Sequence, residues 1–293
     1  MPRMRHIVQT YGSPMAITTT EINLPDIQAT PDQRATAIAA VGIRGLELPF
    51  QLDAGDGHRQ TTLGMWDLAV SLAEGVRGTH MSRFVELASR FSDEDSVLLS
   101  RESLQDFSSD LLDRLEADDG RVRIKGRFLL RRSSPVTEIG LPVPFDFAWK
   151  LRARRVEGKI QTKLVTEVGV LATSLCPCSR EISAYGAHNQ RARVRIGVSG
   201  PVSLAELVEV AESSASCTVF PLLKRPDEKA FTETAYERPR FVEDLVREVA
   251  TGLRAIPEVG RFKIKAVNEE SIHAHDAWAI VKGCGDEAPS PLG

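Results

Sequence analysis

Long apolar runs are missing from this chain: none of its 293 residues belong to a stretch approaching the ~20 consecutive apolar residues that a membrane-spanning helix needs. The N-terminal segment MPRMRHIVQTYGSPMAITTTEINLPDIQAT carries early positive charge without a continuous apolar core, which argues against a secretory signal. Cysteine is scarce as well. Cys176, Cys178, Cys217 and Cys284 do not form the dense pattern of a small disulfide scaffold, and no C-x-x-C pair is present to suggest a thioredoxin-like redox centre. These absences predict a cytoplasmic protein in a reducing compartment. An excess of positive charge is missing too: the formal net charge of −3 gives no global footprint for nucleic acid, so any basic site must be local.

What is there is ordinary in bulk, with 42% apolar and 26% charged residues, enough for a sizeable core. Residues 1–38 are rich in Thr, Pro, Ser and Gln without an apolar period and predict a flexible arm. The folded part is expected over 39–282, with a frayed tail over 283–293. VGIRGLELPFQLDA and TLGMWDLAVSL read as strands around a loop holding Gly55 and Gly57, which suggests antiparallel pairing. HMSRFVELASRF predicts a helix with Met81, Phe84, Val85, Leu87 and Ala88 on one face, and SVLLSRESLQDFSSDLLDRLEA a second, longer one. RVRIKGRFLLRR, FDFAWKLRARRV and KIQTKLVTEVGVLATSL alternate as strands do. RARVRIGVSG adds a strand, SLAELVEVAESS a helix capped by Ser203 with Glu206 three residues on, and PRFVEDLVREVATGL another helix. RFKIKAVNEESIHAHDAWAIVKG closes with strands. The fold class is therefore α+β, arranged as two similar groups of strands and helices packed as modules.

Chemistry concentrates in SLCPCSREISAYGAHNQR, where Pro177 separates Cys176 from Cys178 and favours a rigid turn. His188 follows, and thiolate with imidazole suits a borderline-soft divalent metal. Two ligands do not complete a site; a structural knuckle, a redox pair or small buried side chains remain open for the thiols, and a core histidine for His188. In CTVFPLLKRPDEKAFTETAYERPRFVEDLV the charges Lys224, Arg225 and Glu228 read first as a solvated loop. Glu243, opposite the apolar stripe of the last helix, reads as an i,i+4 partner of Arg247. His273 and His275 would share one face of a strand, which favours a functional role without excluding a core one. In GTHMSRF, His80 and Arg83 open a helix, either as ordinary capping or as an anion-binding terminus.

The segments GTHMSRF, SLCPCSREISAYGAHNQR, PLLKRPDEKAFTETAYERPRFVEDLVR and ESIHAHDAWA together resemble the prokaryotic type IB GTP cyclohydrolase I family, over most of the chain from Val41 to Ala279. The resemblance implies a bimodular tunnelling fold, antiparallel sheets with helices packed on one face, assembling into a barrel as a homotetramer. It implies hydrolysis of GTP to 7,8-dihydroneopterin triphosphate and formate, feeding folate synthesis and deazaguanine tRNA modification, with no nucleic-acid or membrane partner. Carried over by motif, Cys176, His188 and Glu228 are the ligands of a divalent metal (Zn, Mn or Fe). Cys178 is the second, reactive cysteine, and His273 and His275 are acid/base groups. Glu243 anchors the purine, and His80, Arg83, Lys224 and Arg225 are candidates for the triphosphate. Another tunnelling-fold enzyme, such as a nitrile reductase with a cysteine nucleophile, and a non-catalytic nucleotide or metal binder are the competing readings; the spacing from Cys176 to His188 argues against the first.

Overall fold

The computed structural model describes residues 27–28, 30–34, 36–92 and 97–285. Most of the arm expected over 1–38 and of the tail expected over 283–293 lies outside these residues. Alternating apolar and polar residues build β1 (Ile38–Asp53), β2 (Arg59–Leu72), β3 (Asp119–Ser133), β4 (Gly140–Val156), β5 (Lys159–Leu175), β6 (Asn189–Ser199), β8 (Arg261–Glu269) and β9 (Ala277–Cys284), with the two-residue β7 (Cys217–Thr218). They join in one sheet of order β1-β2-β3-β4-β5-β6-β8-β9, with β7 beside β5, and every strand pairs antiparallel.

Helices α1 (Met81–Ser89) and α2 (Arg101–Arg114) lie between β2 and β3, and α3 (Pro177–Ile182) between β5 and β6. Helices α4 (Leu204–Ser214), α5 (Arg225–Glu237) and α6 (Val242–Arg254) lie between β6 and β8. Each half of the chain thus supplies four long strands with helices between its second and third. The β4–β5 hairpin fuses the halves, and its two turn residues, Glu157 and Gly158, both have positive φ, at 49° and 74°. That is the mirror-image turn whose twist matches the flanking strands.

The core lies on one face of the sheet. Val122, Ile124, Phe128 and Leu130 of β3 are buried there on the side of α2, and Val194, Ile196 and Val198 of β6 on the side of α4, while α1 packs on β1 and α6 on β8 and β9. An aromatic cluster of Phe50, Trp66, Phe91 and Phe107 packs edge-on in the first half. The opposite face carries the alternating charged residues, and among the described residues the helices lie on the core side.

The predicted cap of α4 is present: Ser203 Oγ accepts the Glu206 N–H at 3.2 Å, and Glu206 Oε2 accepts the Ser203 N–H at 2.9 Å. Helix α1 buries Phe84, Leu87 and Ala88, while Met81 and Val85 of the expected apolar face stay exposed. The second helix starts at Arg101, capped by Ser100 Oγ accepting from Ser103 N–H, because the hydroxyl ends the preceding extended run. Two helices were not foreseen, α3 and α5, both in segments read as turn or charged loop. Among the described residues no helix is long and apolar enough to cross a membrane.

Candidate active site

Three strand ends meet where β5 finishes, β6 begins and β8 finishes. Cys176 follows directly on β5 and caps α3, whose first residue is Pro177, suited to that position because its missing N–H would be unpaired there anyway. The Cys176 N–H donates to the carbonyl of His188 at 3.1 Å, so the backbones of the two residues are joined one step beyond the last β5–β6 pair, Leu175 with Asn189. Ser179 ties the pair further: its N–H donates to Cys176 Sγ at 3.5 Å, its hydroxyl to the Cys176 carbonyl at 3.1 Å, and it accepts the His188 N–H at 3.2 Å. Cys176 is half-buried and Cys178, inside the short helix, is exposed.

His188 Nδ1 lies 3.0 Å from the Ser271 hydroxyl, a contact that engages one ring nitrogen and orients the ring. Ser271 belongs to the loop that joins β8 to β9. His273 and His275 are in this loop and not on a strand: the β8–β9 ladder begins only at Asn268 opposite Ala277, and Asp276 Oδ1 closes the loop by accepting the Glu270 N–H at 3.3 Å. The two rings nonetheless share a side, stacked with centroids 5.3 Å apart. Both are exposed.

Behind this end lies a polar layer that sequence reading did not single out. Ser174, Gln190 and Glu270 form one row across β5, β6 and the end of β8. Gln190 Nε2 donates to Glu270 Oε1 at 2.8 Å, Asn268 Nδ2 to Ser174 Oγ at 2.9 Å, and Ser174 Oγ to the Arg240 carbonyl at 2.7 Å. Gln190 Oε1, Asn268 Oδ1, Glu270 Oε2 and Arg240 Nε have no protein partner although they are buried. Such atoms are costly unless a ligand or water meets them, which suits a site built for a hydrogen-bonding substrate. Their signal in the sequence is faint: polar residues at inward positions of otherwise apolar strands.

The charged segment of 224–237 is the helix α5. Its first turn is fixed by Asp227, fully buried, which accepts from Lys224 N–H at 2.9 Å, Val136 N–H at 2.9 Å, and Thr137 through N–H at 2.8 Å and hydroxyl at 2.6 Å. Burial alone would raise this carboxyl, but the hydrogen bonds from Thr137, Lys224 and Val136 outweigh it and hold the group well below the usual carboxylate range. Lys224, Arg225 and Glu228 are exposed around that turn. The far end of α5 touches α3, with the Arg180 guanidinium 4.8 Å from the Tyr236 ring centroid. Glu228 and Tyr236 are eight residues apart, roughly 12 Å along a helix axis. Among the described residues no group of three His, Cys, Asp or Glu is placed to hold a metal ion, so Glu228 does not complete such a group with Cys176 and His188.

Glu243 is exposed in the first turn of α6. The expected pairing with Arg247 is absent, because Arg247 Nη1 reaches Asp244 instead, at 3.4 Å. His80 precedes α1 at its N-cap without a side-chain capping bond, and Arg83 Nη1 donates to the Arg114 carbonyl at 3.2 Å, closing the C-terminus of α2. Helix α1 packs on β1 and α5 on β5 and β7. The strands β1 and β5 are four positions apart in the sheet, roughly 19 Å at about 4.8 Å per strand, so one chain does not bring the two cation sets together.

The family model described as type I GTP cyclohydrolase folE2 matches residues 24–279. A protein of Bordetella pertussis named GTP cyclohydrolase FolE2 is 42% identical over 264 residues, covering 89% of this chain and 97% of its own. Proteins named GTP cyclohydrolase FolE2 1 in Dechloromonas aromatica and GTP cyclohydrolase FolE2 in Paraburkholderia xenovorans are each 41% identical, over 90% and 88% of this chain and 98% and 94% of their own. Among solved structures, a uricase from Arthrobacter globiformis superposes with a TM-score of 0.49 at 12% identity, covering 87% of this chain and 95% of that one. Urate oxidase from Bacillus subtilis 168 gives 0.48 at 9% identity, with 84% and 98% covered.

Proposed function

The chain belongs to the type I GTP cyclohydrolase folE2 family, and from that premise we propose that it hydrolyses GTP to 7,8-dihydroneopterin triphosphate and formate, the first step of folate biosynthesis. The observation that supports the reading is the backbone bond that joins Cys176 to His188 just beyond the β5–β6 ladder, with Ser179 bonded to both residues, Ser271 on the His188 ring, and His273 and His275 stacked in the same loop as Ser271. The finer label, the prokaryotic IB subclass, rests on the four motifs that carry the resemblance.

A divalent ion fits the donor chemistry of this pair: thiolate and imidazole suit Zn, Mn or Fe, and the Ser271 contact on Nδ1 leaves the other ring nitrogen for the ion. Glu228 is assigned as third ligand by its place in the motif alone, since it forms no three-ligand group with Cys176 and His188 among the described residues. The chemistry such an ion supplies is activation of water near neutral pH and polarisation of the group under attack. Opening the imidazole ring of guanine at C8 and closing a pterin ring need several proton transfers. The exposed Cys178 thiol is the reactive group at the ring, and His273 and His275 move protons to and from the opened ring and the ribose. Glu243, which has no ion pair among the described residues, can accept N1–H and the exocyclic amine of guanine through its two oxygens.

His80, Arg83, Lys224 and Arg225 are assigned to the triphosphate. Their positions, by β1 and by β5, support a site shared between subunits of a homotetramer that closes the sheets into a barrel. The protein is read as cytoplasmic, with folate and deazaguanine tRNA modification as the uses of its product. Purified protein given GTP with Zn, Mn or Fe should release formate and develop pterin fluorescence; the absence of both with every metal overturns the reading.

A further inference from the structure

Away from the strand ends just described, the helix-free face of the sheet gathers positive charge in a chain whose net charge is −3. Val122, Leu151 and Leu164 point into the core, so the alternate residues of β3, β4 and β5 point the other way. Register sets Arg121 opposite Arg152 and Arg152 opposite Lys163, a row of three cations across three strands. One step along, Arg123 faces Lys150. Like charges directly opposite each other destabilise an antiparallel pair. Here they occur on adjacent rows.

Nearby carboxylates do not balance the row. Asp119 accepts from Arg152 at 2.8 Å and from Arg154 at 3.0 Å, and lies 3.6 Å from Arg121. Asp67 lies 3.6 Å from Arg123, and Glu167 pairs with Lys150. Each acid is thus taken, and Lys163 and Arg44 have no partner among the described residues. These cations line one cavity of about 520 Å³, together with Asp67 and an apolar floor that includes Val41 and Val165. Lys163 and Cys176 are thirteen residues apart, and since β5 runs from Lys159 to Leu175 they lie roughly 40 Å apart along that strand.

We propose that this face is a second anion site, which takes a linear polyphosphate and is separate from the candidate active site. Strands about 4.8 Å apart present Arg121, Arg152 and Lys163 as successive cations, a spacing that rewards a multivalent anion over a single charge. Arg121 and Arg152 give bidentate contacts to phosphate oxygens, and Lys163 adds a point charge at the β5 end of the row. The anion removes the repulsion that the register builds in. It comes either as free polyphosphate or as the tail of a nucleotide.

Calorimetric titration of the full chain with sodium tripolyphosphate at constant ionic strength, with GTP as a separate titrant, tests this. Tripolyphosphate binding should weaken at least tenfold in R121Q/K163Q and persist in K224Q/R225Q. Without anion, K163Q should unfold at or above the wild-type temperature, since a repulsive partner is gone; tripolyphosphate should raise the wild-type midpoint more than sodium chloride of equal ionic strength. A parallel loss of GTP binding stoichiometry in R121Q/K163Q assigns the site to nucleotides, and unchanged GTP binding assigns it to free polyphosphate. The proposal is overturned by equal tripolyphosphate binding in wild type and R121Q/K163Q, by loss confined to K224Q/R225Q, or by no binding at all. It is overturned equally if K163Q changes the size of the oligomer in sedimentation while anion binding stays the same, which would make a second copy the occupant of this face.

Discussion

Asp227, in the first turn of α5, holds Thr137 at the tip of the β3–β4 hairpin, accepting both its N–H at 2.8 Å and its hydroxyl at 2.6 Å. One side chain therefore joins the first half of the chain to the helix that carries Lys224, Arg225 and Glu228. Because α5 buries little else, only Ala235 beside Asp227, this carboxylate stands in for the apolar stripe that usually docks a helix.

Replacing it by asparagine should loosen α5, since the amide turns a donor toward at least one of the N–H groups now accepted. D227N is expected to lower the urea midpoint at pH 7. The pH dependence has a definite sign. The folded-state carboxyl lies below its unfolded value, so its contribution is present above the unfolded pKa of about 4 and fades as pH falls through the folded value. Urea midpoints of wild type and D227N should therefore converge below about pH 4; a gap that stays constant from pH 7 to pH 3 would show that the charge is not what holds Thr137.

The two thiols should separate by function. C178A is expected to keep bound metal while its turnover falls at least about 100-fold, the scale of losing a group that acts at the reacting atoms. C176A should instead lose metal, because Cys176 is the proposed thiolate ligand and its backbone is joined to that of His188 at the end of β5. Elemental analysis of each purified variant alongside formate release decides; metal lost from C178A and kept by C176A would exchange the roles.

A single substitution outside the proposed ligands tests the orientation of His188. Ser271 touches its Nδ1 at 3.0 Å, so S271A frees the ring to turn. Metal affinity should drop by about 10- to 100-fold, the usual loss for a group that orients a ligand. Ser271 is exposed, so the unfolding midpoint should hardly move. Competition with a chelator reads the first quantity and thermal unfolding the second; unchanged affinity would remove Ser271 from the site.

How much of this could be read from the chain depends on which force shaped each element. Strands and the apolar helices α1, α2, α4 and α6 declare themselves because burial imposes a period, and Ser203 with Glu206 marks a start by a hydrogen-bond pattern local in sequence. Helix α5 has no such period, since its docking residue is an aspartate whose partners, Val136 and Thr137, lie 91 and 90 residues away. His273 and His275 alternate as in a strand, yet the ladder leaves them out and Asp276 folds them into a loop. Spacing in the sequence suggested Cys176 with His188, and one backbone hydrogen bond joins the two residues just beyond the last β5–β6 pair. Gln190, Asn268 and Glu270 carry their meaning only once β5, β6 and β8 lie side by side. Glu243 and Asp244 both stand within reach of Arg247 in sequence, and only side-chain geometry chooses Asp244.

That choice makes Glu243 a clean subject for substitution. Its neighbours Val242, Leu245 and Val246 carry the packing of α6, and Arg247 is already engaged by Asp244, so E243Q removes a charge without breaking a structural contact. Stability should change by no more than about 0.5 kcal/mol, as at other exposed positions. Binding should not be spared. A carboxylate that accepts two N–H groups of guanine contributes through charge-assisted hydrogen bonds, each worth about 1.5–3 kcal/mol. Glutamine replaces one acceptor by a donor that faces an N–H, so kcat/KM for GTP should fall by about 10- to 100-fold, at 1.36 kcal/mol per decade. If Glu243 only binds the purine, the loss is expected in KM with kcat nearly kept; a fall in kcat at unchanged KM would instead place the carboxylate at the reacting ring, and no change in either would exclude it as the purine anchor.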